Sequence, residues 1–247
     1  MRQNFVTKLK NFLMEKQTSK KTAQGTNKTT LYQFIIDRSG SMSGLEQMVV
    51  GGYNEHLSAV KNMQATYPDQ QFLVSLLTFD DDVQWLVKPA PINELKELPS
   101  DAFQPRGMTA LLDAIGKGIQ QIESEYDTII QNDEMSVVLV IITDGEENSS
   151  RFFNVGSIAK KIKERDQTGK WTFSFIGCDF DASNISKKLN IRRENVRNYD
   201  KRAYGLMSKS IDKTFMRYAE SKSNGSFGKQ VFHFFEEDQE DEKKNEH

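Results

Sequence analysis

The segment Leu31–Ile36, LYQFII, is too uniformly apolar for a strand with one wet face, so it is expected at the centre of a sheet. After it, Leu45, Met48, Val49, Gly52, Tyr53, Leu57, Val60 and Met63 recur at helical spacing and predict a helix. Gln71–Phe79 reads as a strand, and the Asp80-Asp81-Asp82 run as a turn into a second strand, VQWLV, although three carboxylates in a row also suit the rim of a metal site. Thr109–Tyr126 is helical, with Leu112, Ile115, Ile119 and Ile122 on one face. Ser136–Thr143, SVVLVIIT, is the most strand-like stretch of the chain. A helix SIAKKIKER, a strand WTFSFIG, a short helix SNISKKLN, a short strand VRNY and a closing helix AYGLMSKSIDKTFMRYAE follow. Strands alternating with helices predict an α/β class: a doubly wound, mostly parallel sheet with one antiparallel edge strand and helices on both faces.

The ends differ from this middle. Residues 1–29 are read as a basic helix, with Phe5, Leu9, Phe12 and Leu13 at helical spacing, followed by a polar linker. The helix fits packing on the domain or, alternatively, a membrane or partner contact. Residues 30–220 form the predicted domain. SKSNGSFG (Ser221–Gly228) reads as a linker, and 221–247 as a whole as a flexible charged tail.

Composition narrows the function classes. The formal net charge of -2 over 247 residues gives no basic footprint for nucleic acid. The longest apolar run, Val137–Ile142, is far short of the roughly 20 residues that span a bilayer. No unbroken apolar stretch of a secretory signal stands near the N-terminus. The single cysteine, Cys178, excludes an internal disulfide and fits a reducing, cytoplasmic setting.

The candidate chemistry lies where strands end. In sheets of this kind ligands bind beyond the carboxyl ends of the strands, where strand order reverses. There the sequence places Asp37-Arg38-Ser39-Gly40-Ser41 after LYQFII, Thr143-Asp144-Gly145 after VVLVII, and Thr109 at a helix start after Gly107. Asp37, Ser39, Ser41, Thr109 and Asp144 offer carboxylate and hydroxyl oxygens only. Hard donors suit Mg2+, with Mn2+ and Ca2+ sharing the preference, rather than zinc or copper. Two carboxylates with neutral hydroxyls leave a coordination position for an anionic oxygen from another molecule.

This arrangement resembles the von Willebrand factor A (vWA) domain and its metal-ion-dependent adhesion site (MIDAS), whose motif is Asp-x-Ser-x-Ser, a later threonine and a later aspartate. Here the motif reads DRSGS, GMTALLDAI and TDG, complete and in order over roughly Thr30–Glu220. The similarity is greatest to compact intracellular vWA proteins of bacteria and phages. The resemblance implies a Rossmann-like vWA fold, with Ser39 and Ser41 binding the metal directly, and Asp37, Asp144 and Thr109 binding it directly or through water. It also implies a protein partner that supplies an Asp or Glu carboxylate, within a larger intracellular assembly. Met42, Arg106, Met108, Glu146, Glu147 and Arg151 are expected around the site, where they would influence partner choice. Asp179 and Asp181 also follow a strand end, with helix capping as the expected role of Asp181.

The function expected is therefore a metal-dependent protein-interaction module and not an enzyme. The alternatives are a Mg2+-dependent phosphotransferase or hydrolase, and a scaffold with a merely stabilising metal. Against the enzyme, no G-x-x-x-x-G-K-[ST] phosphate loop occurs, and His56 falls in the helix after LYQFII and His233 near the C-terminal tail, so neither makes a credible catalytic base. The chain does not reveal its oligomeric state.

Overall fold

The computed structural model describes residues 29–179, 181–200, 203–225 and 232–235. The N-terminal basic helix expected within 1–29 and the charged run after Phe235 lie outside the described residues.

Nine residues of β1 (Thr29–Asp37) are buried without exception, the expectation for a strand covered on both faces. It pairs in parallel with β2 (Gln71–Phe79) on one side and with β4 (Met135–Thr143) on the other. The six-stranded sheet runs β3-β2-β1-β4-β5-β6, where β3 is Val83–Pro91, β5 Trp171–Cys178 and β6 Val196–Tyr199. Only β3 is antiparallel, with register shifts opposite Val74–Leu77. Pro89 and Pro91 are tolerated there because an edge strand has one unpaired side.

Side-chain alternation along β1 divides the core. Tyr32, Phe34 and Ile36 face α1 (Glu46–Thr66) and α5 (Tyr204–Ser223). Leu31 and Ile35 face α2 (Leu111–Gln131) and α3 (Val155–Asp166). A short α4 (Ser183–Lys188) closes the β5–β6 connection. This is the doubly wound α/β architecture expected from the sequence. The chain leaves β1 toward β2 and β3, then returns to place β4 on the other side of β1. Strand order therefore reverses at the β1/β4 crevice, and Asp37 and Asp144 both emerge at that point.

Two expectations need correction. The linker expected from Ser221 is helical to Ser223, because Lys222 Nζ donates to Thr29 O (3.0 Å) and Thr30 Oγ1 (2.7 Å) and ties the last turn of α5 to the start of β1. The flexible tail expected over 221–247 contains Phe234 and Phe235, both buried in the α1/α5 core. Their backbone is held as well: Phe234 N–H donates to Asn195 Oδ1 (2.7 Å), and Thr214 Oγ1 and Arg197 Nη2 donate to the Phe234 and Phe235 carbonyls (2.8 and 2.7 Å).

Candidate metal centre

The end of β1 turns sharply because its last side chain takes over from the ladder. Asp37 is fully buried. Its Oδ1 accepts from Ser39 N–H at 2.7 Å and its Oδ2 from Thr143 Oγ1 at 2.6 Å. The first bond curls the chain into the 3-10 turn Gly40–Met42, which carries Ser41. The second joins β1 to the last residue of β4. Ser39 Oγ lies 2.9 Å from Ser41 Oγ, and Ser41 Oγ donates to Asp144 Oδ1 at 2.7 Å.

Thr109 reaches the same place from a third loop. Its N–H donates to Asn148 Oδ1 (2.9 Å) and its carbonyl accepts from Asn148 N–H (3.1 Å), so the loops before α2 and after β4 are zipped together. A Cβ built on Gly145 would stand 3.5 Å from Thr109 Oγ1 and 3.8 Å from Ser41 Oγ. Gly145 thus leaves open the space that these hydroxyls border. All five side chains predicted from the sequence converge here: Asp37, Ser39, Ser41 and Asp144 through contacts in series, and Thr109 beside Gly145.

The electrostatics suit a cation. Burial pushes the Asp37 carboxyl up to about 6, against the lowering effect of the Thr143 and Ser39 hydrogen bonds, and the negative charge of Asp144 pushes the same way as burial. Two carboxylates that repel at the rim of a hydroxyl-lined space match the preference of Mg2+ for hard oxygens with few carboxylates. Among the described residues no group of three or more His, Cys, Asp or Glu side chains could hold a metal, so carboxylate-rich and thiolate sites find no counterpart there. The donor set fits Mg2+, which Asp37, Ser39, Ser41, Thr109 and Asp144 would hold.

The surrounding residues divide differently from expectation. Met42 is fully buried in the α1 core and is not at the surface of the site. Glu147 points inward: its carboxylate accepts from Leu112 N–H (2.9 Å), Ser149 N–H (2.9 Å), Ser150 N–H (2.7 Å) and Ser150 Oγ (2.7 Å), satisfying the start of α2 and leaving little for a partner. Met108, Glu146 and Arg151 are exposed, and the Arg106 side chain is mostly exposed with its Nε 2.9 Å from Asp80 Oδ2. Asp80–Asp82 forms a turn, Asp82 N–H donating to Asp80 Oδ1 at 2.8 Å. Asp181 Oδ1 accepts from Ser183 N–H (2.9 Å) just before α4, but the N-cap there is Ala182, without a side-chain capping bond, so Asp181 is not the cap residue expected. His56 is buried between α1 and α5, its Nδ1 2.6 Å from Asp212 Oδ1.

Three contributors have no role in the sequence reading. Thr143 and Asn148 position Asp37 and Thr109. Asp113 accepts from the N–H groups of Arg151, Phe152 and Phe153, each at 2.9 Å, and pins the loop after β4 onto α2. Only the spacing of Thr143, directly before Asp144, offers a local signal.

Neither the family models nor the curated sequences compared with it match this chain. Solved structures do. A von Willebrand factor type A protein from Catenulispora acidiphila aligns with TM-score 0.52 and 15% identity over 76% of this chain and 43% of that one. The pilus adhesin SpaC from Lactobacillus rhamnosus GG aligns with TM-score 0.60 and 13% identity, covering 79% and 31%. The vWF domain of the type V pili tip protein Mfa5 from Porphyromonas gingivalis aligns with TM-score 0.51 and 8% identity, covering 78% and 97%. The chain spans less than half the length of the first two of these, and nearly all of the third. At these identities the likeness is one of fold, and the fold of this chain is that of the von Willebrand factor A domain.

Proposed function

We propose that this chain is a metal-dependent protein-interaction module, in which Mg2+ held by Asp37, Ser39, Ser41, Thr109 and Asp144 takes an Asp or Glu carboxylate of a partner protein. The observation that carries this reading is the continuous run of oxygens from Ser39 through Ser41 to Asp144, 2.9 and 2.7 Å apart, beside the space left by Gly145. When bound, the cation supplies a positive charge with a vacant coordination position. The chain's own residues orient it: Thr143 and the Ser39 N–H fix Asp37, and Asn148 fixes Thr109. Mn2+ and Ca2+ fit the same donors.

The reading is one of binding, not catalysis. The buried His56 is engaged with Asp212 inside the α1/α5 layer and offers no base to the site. Pilus adhesins among the similar structures support attachment as a use of this fold. Among the described residues no helix is long and apolar enough to cross a membrane. The single cysteine, Cys178, is buried, and the proposed setting is a reducing, cytoplasmic one, as part of a multiprotein system.

Calorimetric titration of the full chain with MgCl2 tests the reading. Wild type is expected to bind and Thr109→Ala to bind far more weakly. Partner capture should then be lost in EDTA and in the variant alike. Wild-type protein that takes up no Mg2+, or capture indifferent to both treatments, would overturn it.

A further inference from the structure

The Asp80–Asp82 turn holds more than a turn needs. Closing the turn takes one oxygen: Oδ1 accepts from Asp82 N–H at 2.8 Å. The other oxygen, Oδ2, accepts from Arg38 Nη2 at 2.7 Å and from Arg106 Nε at 2.9 Å, two guanidiniums from two different loops. Asp80 itself is buried, as is Arg38.

Each of these arginines belongs to a strand of backbone that carries ligands. Arg38 stands between Asp37 and Ser39. Its side chain turns away from them to Asp80 and to Gln84 Oε1 on β3 (2.8 Å), while its N–H donates to Phe79 O (2.6 Å). Arg106 opens the loop that leads to Thr109, and its N–H donates to Arg38 O at 2.9 Å. At the other side of Thr109, Ala110 N–H donates to Asp80 O (2.9 Å), and Met108 N–H donates to Asp81 Oδ2 (3.2 Å). Residues 106, 108 and 110 are therefore all fastened to two consecutive aspartates. Gly107 O in turn accepts from Gly40 N–H (3.1 Å), between Ser39 and Ser41.

We infer that Asp80 is a positioning residue for the cation site, setting the distance between the Ser39/Ser41 hydroxyls and the Thr109 hydroxyl by clamping Arg38 and Arg106 on one carboxylate oxygen. The inference rests on the cation reading above. Burial works against the charged form of Asp80, but the Asp82 N–H and the Arg106 and Arg38 guanidiniums outweigh it and hold the carboxyl below the ordinary carboxylate range, so the clamp is charged at neutral pH. Groups that orient ligands in this way commonly change metal affinity about 10–100-fold when removed.

The test is calorimetric titration of the full chain with MgCl2 for wild type, Asp80→Asn and Arg106→Gln, with melting temperatures in EDTA measured alongside. Asp80→Asn is expected to lose about tenfold in Mg2+ affinity. Arg106→Gln decides the matter, because its sign separates two causes. Removing a nearby positive charge should by Coulomb's law tighten cation binding. Removing one arm of the clamp should weaken it. The Arg106 side chain is 67% exposed, so this variant should fold even where Asp80→Asn does not. Weaker Mg2+ binding in Arg106→Gln, with an unchanged melting temperature in EDTA, supports positioning. Unchanged or tighter binding in Arg106→Gln overturns it and leaves Asp80 a turn residue. Wild type that binds no Mg2+ overturns the cation reading, and this inference with it.

Discussion

The Ser41 hydroxyl donates to Asp144 Oδ1 across 2.7 Å, linking residues 103 positions apart in the chain. Neither residue is near the other until β4 docks beside β1, so the bond reports on assembly of the whole crevice. It also orients one lone pair of each oxygen away from the shared bond. Ser41→Ala is expected to lower Mg2+ affinity by about tenfold while shifting the melting point in EDTA by little, since one partly exposed hydroxyl contributes about 1 kcal/mol. Paired calorimetry and thermal melts measure both quantities.

The raised Asp37 carboxyl sets a pH dependence. Its folded value of about 6 exceeds the unfolded value of about 3.9, so its protonation stabilises the metal-free fold. That contribution is fully present below the unfolded value and is lost as pH rises through 6. Mg2+ has the opposite requirement, because it needs the carboxylate. The rise in melting temperature caused by MgCl2 should therefore be large at pH 7.5 and shrink as pH falls through 6. A thermal shift independent of pH between 5 and 7.5 would count against Asp37 as a ligand.

Gly107 occupies the left-handed region at φ +65°, and a Cβ there would stand 2.2 Å from Asp81 Oδ2. Gly107→Ala meets both obstacles. The backbone strain is worth about 1–2 kcal/mol, and the displaced Asp81 releases Met108 N–H and Ser149 Oγ. Loss of denaturant stability together with weaker Mg2+ binding is the expected result, because Thr109 lies two residues on.

The segment Phe232–Phe235 behaves as part of the core. Phe234 is fully buried and stands edge-on to Phe215, ring centroids 6.2 Å apart. Phe234→Ala should cost about 3–5 kcal/mol, the range for a buried phenylalanine. Urea unfolding gives the value, and a change under 1 kcal/mol would return this segment to the status of a tail.

The elements, and the five oxygen-bearing side chains that the fold brings together, could be read from local sequence. Uniformly apolar runs placed β1, β2, β4 and β5 within a residue or two, because a central strand must be apolar on both faces. Asp37, Ser39, Ser41, Thr109 and Asp144 were legible because DRSGS, GMTALLDAI and TDG follow one another in order, two of them directly after apolar strand segments. What the sequence did not disclose were long-range partners. Glu147 resembles any exposed loop glutamate until α2 presents its free N–H groups to it. Asp80 reads as an ordinary turn aspartate until Arg38 and Arg106 arrive from separate loops. Phe234 and Phe235 precede a charged run and look like the start of a tail until α5 and β6 offer a surface for them.

By itself, then, the sequence determined which segments are strands and helices and which oxygen-bearing side chains sit at their ends, since both follow from the period and chemistry of neighbouring residues. The tertiary structure alone decided how those side chains are held. Hydrogen bonds such as Thr143 to Asp37 or Arg106 to Asp80 depend on distances across the sheet and between loops, which no local pattern encodes.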